Sequence, residues 1–330
     1  MTRSLIIGPS LASLCLSGCT GSQSALDAAG SSASAQKQLI VLIVIVCAAV
    51  WLLVMLVLAW SLLRSRDGRG TAGNDRKARK VVAAAVAATV FIIAALTIAS
   101  FYTTRQIGPS SKAALTVTVR GQQWWWQFIY AGNGLDGEFQ TANELHIPVG
   151  QDVKLRLESA DVIHSFWVPS LAGKLDLIPG RINELTLRAD RPGIYRGQCA
   201  EYCGLQHSHM AVLVIAEDEV SYQQWVQQQL RERLPPSDIE VAAGETVFLS
   251  KPCAACHTIR GTSAAGTTGP DLTHVRSRET IGAGLLPNTR GSLAAWIADP
   301  QTLKPGNNMP LVPLSAEELK QVSAYLESLK

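Results

Sequence analysis

Two long uncharged runs decide what this 330-residue chain can be. Residues 38–63 and 81–104 contain no Asp, Glu, Lys or Arg. Crossing the ~30 Å hydrocarbon core of a bilayer as a helix needs roughly 20 apolar residues, so each run is long enough to span. A buried helix in a soluble protein is rarely so apolar for so long, and here the feature occurs twice. The segment between the runs carries Arg64, Arg66, Arg69, Arg76, Lys77, Arg79 and Lys80 against Asp67 and Asp75. Basic residues accumulate on the cytoplasmic side. The expected topology is therefore a transmembrane helical hairpin over residues 38–105 with both ends outside. A net charge of only +3 provides no broad basic surface, which argues against nucleic acid as a partner.

At the N-terminus, Arg3 precedes a short apolar stretch that ends in Leu16-Ser17-Gly18-Cys19. Small residues before a cleavage point mark a signal peptide, here over residues 1–18. The tetrapeptide resembles a bacterial lipoprotein box, which implies that Cys19 is the lipidated first residue of an external segment, 19–37. The seven cysteines then sort by place. Cys15 leaves with the signal, Cys19 takes lipid, and Cys47 lies in the first membrane run. Cys199, Cys203, Cys253 and Cys256 fall outside the cytoplasm, where free thiols ordinarily oxidise. A metal or cofactor is expected to hold them.

Cys199 to Met210, CAEYCGLQHSHM, brings two thiols, a carboxylate, two imidazoles and a thioether into one short loop. Structural zinc favours short cysteine pairs, often with a second knuckle elsewhere, and a thioether is a poor zinc ligand. Thiolate and thioether beside imidazole is a copper donor set, with Met as a weak axial ligand. A single blue-copper ion uses one Cys. A second Cys suggests two coppers bridged by two sulfurs, and that reading calls for another His.

Short runs rich in β-branched and aromatic residues, among them ALTVTVRGQQWWWQFIY, VKLRLES and MAVLVIAE, read as strands. Turn residues punctuate them at Asn133-Gly134, 148–150, Pro179-Gly180 and Pro192-Gly193. Many short strands with regular turns predict an all-β sandwich or barrel over residues 106–230, closed by a helix near its end. The Pro-containing stretch within 231–239 is a stiff linker. Residues 240–330 change to helix and loop.

His164, at the end of the strand VKLRLES, supplies the missing imidazole. The stretch Asp161-Val-Ile-His164-Ser, the later Ile178-Pro-Gly-Arg181 and the Cys199–Met210 loop together resemble subunit II of cytochrome c oxidase. With the hairpin, the resemblance covers roughly residues 37–230. It implies a cupredoxin-like sandwich whose ligand loop joins the last two strands and holds CuA, a pair of copper ions. Cys199 and Cys203 would bridge the coppers, and His164 and His207 would each cap one. Met210 and the main-chain carbonyl of Glu201 would complete the set. The Glu201 side chain would face subunit I, where the family uses this carboxylate at a magnesium site. The resemblance also implies that electrons enter through the aromatic segment 124–126, and Trp124 is the favoured residue. Alternation lets Trp124 and Trp126 share one face and Trp125 take the other. His209 is expected to face solvent or support the ligands, and His146 to be structural.

Cys253-Ala-Ala-Cys256-His257 is C-x-x-C-H, the attachment motif of c-type haem. Two thioether bonds need thiols three apart, and the adjacent His supplies an axial nitrogen. Met309, in Asn307-Asn308-Met309-Pro310, is the expected sixth ligand, because Met/His ligation raises the iron's potential. His274 is the competing axial candidate. Gly269-Pro270-Asp271-Leu272 matches the stretch of class I cytochromes c whose proline carbonyl holds the proximal His, a role that falls to Pro270.

The whole chain thus resembles an oxidase subunit II with cytochrome c fused behind it. The expected fold is a membrane-anchored multidomain chain: a transmembrane α-hairpin, an all-β cupredoxin-like sandwich, and an all-α class I cytochrome c domain. The implied partners are oxidase subunits I and III, membrane lipid, and an external donor such as a cytochrome c or a cytochrome bc complex. Electrons would run from that donor through haem c and CuA to haem in subunit I. Oxygen would be reduced there, with proton pumping, in a bacterial inner membrane. A quinol oxidase subunit would usually lack the copper ligands, nitrous oxide reductase lacks this hairpin, and a copper-delivery protein has no need of haem. One departure stands out. The family often carries a glutamate, linked to proton uptake, at the cytoplasmic start of the second helix, yet residues 76–135 contain no Asp or Glu.

Overall fold

The computed structural model describes residues 21, 23–64, 75–108, 113, 115–131 and 137–330. The expected signal segment, Cys19 and the Asn133-Gly134 turn lie outside the described residues. The chain divides into two compact units, residues 34–108 and the remainder.

The smaller unit consists of two helices, α1 (Ser31–Leu63) and α2 (Asp75–Gln106). At 1.5 Å per residue each is about 50 Å long, ample to cross the hydrocarbon core. Leu53, Val57, Trp60 and Phe91 are exposed. A long helix with an apolar exterior matches lipid, because every interior backbone group is bonded within the helix. α1 begins before the uncharged run does, because its first turn belongs to the larger unit. There Ala29 donates to the Ser170 carbonyl (2.7 Å), and Ala33 donates to that of Leu171 (3.2 Å).

The larger unit opens with ten strands: β1 (Leu115–Gln122), β2 (Trp125–Tyr130), β3 (Phe139–Ala142), β4 (Glu144–Pro148), β5 (Val153–Ser159), β6 (His164–Trp167), β7 (Leu175–Leu177), β8 (Asn183–Leu187), β9 (Gly193–Cys199) and β10 (Ala211–Glu217). They form two five-stranded sheets, β3-β2-β1-β5-β8 and β4-β10-β9-β6-β7. In β1 every second residue is buried, from Leu115 through Val117 and Val119 to Gly121. β5 buries Val153, Leu155 and Leu157 in the same way. These inner faces meet Trp126, Phe128 and Phe166 in one core, as a sandwich requires. β1 and β2 are separated by a two-residue turn, Gln123-Trp124, with Gln122 paired to Trp125. The aromatic run is therefore not one strand: Trp124 sits in the turn, while Trp125 and Trp126 open β2.

The register of β6, β9 and β10 positions the loop that matters. Phe166 pairs with Cys199, which brings His164 beside the end of β9. Cys199 donates to the Met210 carbonyl (2.9 Å), which closes the 200–209 loop at its base. Helix α3 (Glu219–Leu230) follows, capped by the Asp218 side chain. Its Trp225 stacks on His146 at 4.0 Å, and Glu217 bonds the His146 Nδ1 at 2.8 Å, so His146 is structural as expected.

Past the linker the chain is mainly helical: α4 (Ile239–Ser250), the single turn α5 (Cys253–Cys256), α6 (Arg290–Ala298), the short α7 (Pro300–Leu303) and α8 (Ala316–Ser328), with one small ladder of Thr280–Ile281 on Leu286–Pro287. α4 and α8 cross at Gly244, where a Cβ would collide with the Gln321 carbonyl oxygen. A capping box formed by Ser315 and Glu318 fixes the start of α8. The second core, built on Phe248, Ile259, Leu293 and Tyr325, supports the loops on which the haem motif lies.

Candidate metal centre and haem cavity

The loop between β9 and β10 folds its donors inward. Cys199 Sγ lies 3.7 Å from Cys203 Sγ and 3.9 Å from His164 Nδ1. Cys203 Sγ lies 3.7 Å from His207 Nδ1 and 3.9 Å from Met210 Sδ. The Glu201 carbonyl oxygen is 3.2 Å from Cys199 Sγ. All six expected groups therefore converge, and His164, Cys199, Cys203 and Met210 are buried. The hydrogen bond between the two thiols holds Cys199 well below the usual thiol range and pushes Cys203 far above it. Two buried sulfurs this close cannot both ionise unless a cation lies between them. Soft sulfur with imidazole is the chemistry that copper meets, so the donor set fits a copper pair.

His164 is oriented from behind. Its Nε2 lies 2.8 Å from Asp161 Oδ1, which leaves Nδ1 for the cluster. The same carboxylate accepts the Gln123 and Val162 amides, both at 2.6 Å. Gly121 was not singled out in the sequence, yet a Cβ there would stand 2.8 Å from His164 Cδ2. The available signal was a glycine inside an alternating strand, which marks close approach.

In the helical part, Cys253, Cys256, His257 and Met309 line one cavity. His257 Nδ1 donates to the Pro270 carbonyl at 2.8 Å, leaving Nε2 as the ligating nitrogen. Burial pulls this imidazole below its usual range, which favours the neutral form that binds iron. A Cβ on Gly269 would lie 2.6 Å from His257 Cε1, so the ring and the Gly269-Pro270 backbone fit each other closely. Met309 is held through its backbone, its amide donating to Asn307 Oδ1 (2.8 Å) and its carbonyl accepting from Gln301 Nε2 (2.9 Å). The competing candidate His274 has both ring nitrogens against carbonyls, those of Lys330 (2.7 Å) and Arg231 (3.0 Å). The chemistry of the cavity wall, two thiols, an imidazole and a thioether, fits a c-type haem.

Trp124 stands between the two sites. Its Nε1 donates to the Cys203 carbonyl at 3.0 Å, and its ring lies against Gly306 in the loop that carries Met309. Trp124 and Trp125 both line the haem cavity. Further bonds cross from one part to the other. Gln206 Nε2 donates to the Pro305 carbonyl (2.8 Å), and the Ala211 amide donates to that of Ala283 (3.1 Å). Glu144 Oε1 accepts the Glu279 (2.7 Å) and Thr280 (3.1 Å) amides, and burial pushes its carboxyl up to about 7. His209 is exposed, the first of its two expected placements, and its ring hydrogen-bonds Gln206 at 2.8 Å.

A family model described as the periplasmic domain of cytochrome c oxidase subunit II matches residues 115–217, and one described as cytochrome c matches residues 241–330. The chain is 43% identical over 215 residues to cytochrome c oxidase subunit 2 of Alkalihalophilus pseudofirmus, covering 65% of this chain and 61% of that one. To the subunit 2 of Bacillus sp. strain PS3 it is 33% identical over 231 residues, 66% of this chain and 63% of the relative. The chain thus spans about three fifths of the length of these curated relatives. Among solved structures, the periplasmic domain of cytochrome oxidase subunit II of Bradyrhizobium japonicum shares 32% identity, over 36% of this chain and 94% of that one, at a TM-score of 0.34.

Proposed function

We propose, for a chain that belongs to the cytochrome c oxidase subunit II family and carries a cytochrome c domain behind it, that its task is to conduct electrons. In this reading they pass from an external donor by way of haem c and CuA to haem in oxidase subunit I. When bound, copper and haem iron supply reversible one-electron chemistry, and the protein residues hold, orient and shield them. Cys199, Cys203, His164, His207, Met210 and the Glu201 carbonyl hold the copper pair. Cys253 and Cys256 tether the haem covalently, with His257 and Met309 on the iron and Pro270 fixing the His257 ring. Trp124 is the residue through which electrons reach the copper side, and the Glu201 carboxylate contributes to a magnesium site shared with subunit I. Cys19 carries lipid, the two long helices anchor the chain in a bacterial inner membrane, and subunits I and III complete the assembly. Oxygen reduction and proton pumping belong to that assembly, not to this chain alone.

One observation carries the reading. Trp124 touches the backbone of a copper ligand on one side and the Met309 loop on the other, within a single compact unit. The test is rapid photoreduction of the haem in the purified chain, with the haem and copper bands followed together. Haem reoxidation in step with copper reduction supports the proposal. A haem that stays reduced beside oxidised copper would refute it.

A further inference from the structure

Lys304 is only 2% exposed, and its Nζ donates three hydrogen bonds to three backbone carbonyls: Trp124 (2.8 Å), His209 (2.7 Å) and Gly282 (2.9 Å). An ammonium has three protons and no acceptor, so these bonds use its whole capacity. No carboxylate pairs with it among the described residues. Burying an ammonium without a counter-ion is expensive, and burial pulls the Lys304 amine down to about 7. Burial by itself does not favour a lysine here.

Its three acceptors do. Trp124 and His209 belong to the copper part, one bonded to the Cys203 carbonyl and the other preceding Met210 in sequence. Gly282 belongs to the cytochrome part, and Lys304 itself opens the loop that leads to Met309 and lines the haem cavity. One charged atom therefore ties a segment beside each redox site to the other.

We propose that Lys304 is a positioning residue for electron transfer between the two sites: its ammonium holds the cytochrome part in register on the Trp124 and His209 carbonyls, and when protonated it places a positive charge beside the haem cavity. The inference rests on the function proposed above. Hydrogen bonds from a charged donor are about twice as strong as neutral ones, so losing two across the interface weakens docking substantially. Electron transfer between separated centres falls as their distance grows, so a loosened joint slows it.

The experiment compares the wild-type chain with Lys304→Met and with Lys320→Met, an exposed charge on α8 that bonds no residue of the copper part. Each carries haem and copper, and two quantities are read: the haem-to-copper rate after photoreduction and the haem midpoint potential. K304M is expected to transfer electrons severalfold more slowly, and to have a lower potential, because removing a positive charge favours ferric iron. K320M is expected to match wild type in rate. A K304M rate within twofold of wild type with an unchanged potential overturns the inference, as does an equal slowing in K320M. If K304M does not load haem, Lys304→Gln, whose amide retains two donors, is read by the same criteria. Absence of transfer in the wild-type chain overturns the function itself, and the two failures are thereby told apart.

Discussion

Glu144 offers a measurement of how the cytochrome and copper parts are joined. Its carboxyl is buried, takes two amides from the cytochrome part, and is pushed by that burial from 4.5 to about 7. A carboxyl whose folded pKa is raised binds more protons folded than unfolded. Its contribution to stability is fully present below about 4.5 and is lost as pH rises to about 7. At ~1.4 kcal/mol per pH unit, the interval from 4.5 to about 7 comes to about 3.5 kcal/mol at most. Glu144→Gln keeps an oxygen for the two amides and cannot ionise. The variant is therefore expected to match wild type near pH 4.5 and to exceed it by up to about 3.5 kcal/mol at pH 8. The assay is thermal unfolding of both proteins, followed through the haem absorption band, at half-unit steps from pH 4.5 to 8. Other carboxylates titrate in both proteins and cancel in the difference. Parallel profiles would show that Glu144 ionises freely, and would sink the claim that it is desolvated in a stable interface.

Other outcomes follow from the same geometry. Cys199→Ser is expected to abolish the mixed-valence copper signal in electron resonance while leaving the haem spectrum intact, because the two donor sets share no residue; joint loss of both would argue against this. Met309→His is expected to lower the haem potential with covalent haem retained, since imidazole in place of thioether favours ferric iron; an unchanged potential in a redox titration would remove Met309 from the iron. Haem-to-copper transfer within the chain is expected to vary less than threefold from low salt to about 0.5 M, where the Debye length falls to a few ångströms. A tenfold slowing would mean that screened surface charges dock the two parts.

The candidate donors were legible by two routes. C-x-x-C-H needs only local sequence, whereas the full copper set, with His164 and the Glu201 carbonyl, was reached only through the resemblance, and the structure brings those groups together. What sequence could not show was the joint between the two parts. Lys304 looks like an ordinary surface lysine before a Pro-Gly turn, and Glu144 like the start of a strand. Both acquire meaning from carbonyls and amides across the joint, more than 90 residues away. The turn at Gln123-Trp124 was missed for a different reason. Neither residue carries a turn signal, and three consecutive tryptophans read as strand. Asp161, which accepts the Gln123 amide, supplies from the tertiary structure what the local sequence lacks.

That joint also bears on how an external donor reaches the chain. Residues 113–230 hold eight Lys/Arg against 13 Asp/Glu, and residues 240–330 hold eight of each. A soluble cytochrome that meets an acidic copper domain by diffusion gains from a basic face, because steering raises the encounter rate. This cytochrome has no net positive charge. A short tether substitutes for one, since it supplies an effective concentration on the order of millimolar. The cross-contacts observed are buried and directional, the kind that fix geometry rather than speed collision. They also cover the proposed point of electron arrival: Trp124 is only 8% exposed, with Lys304 and Gly306 against it. With the cytochrome part docked, a second soluble donor has no direct contact with that indole. On the proposed function, an external donor therefore delivers to the haem rather than directly to that indole.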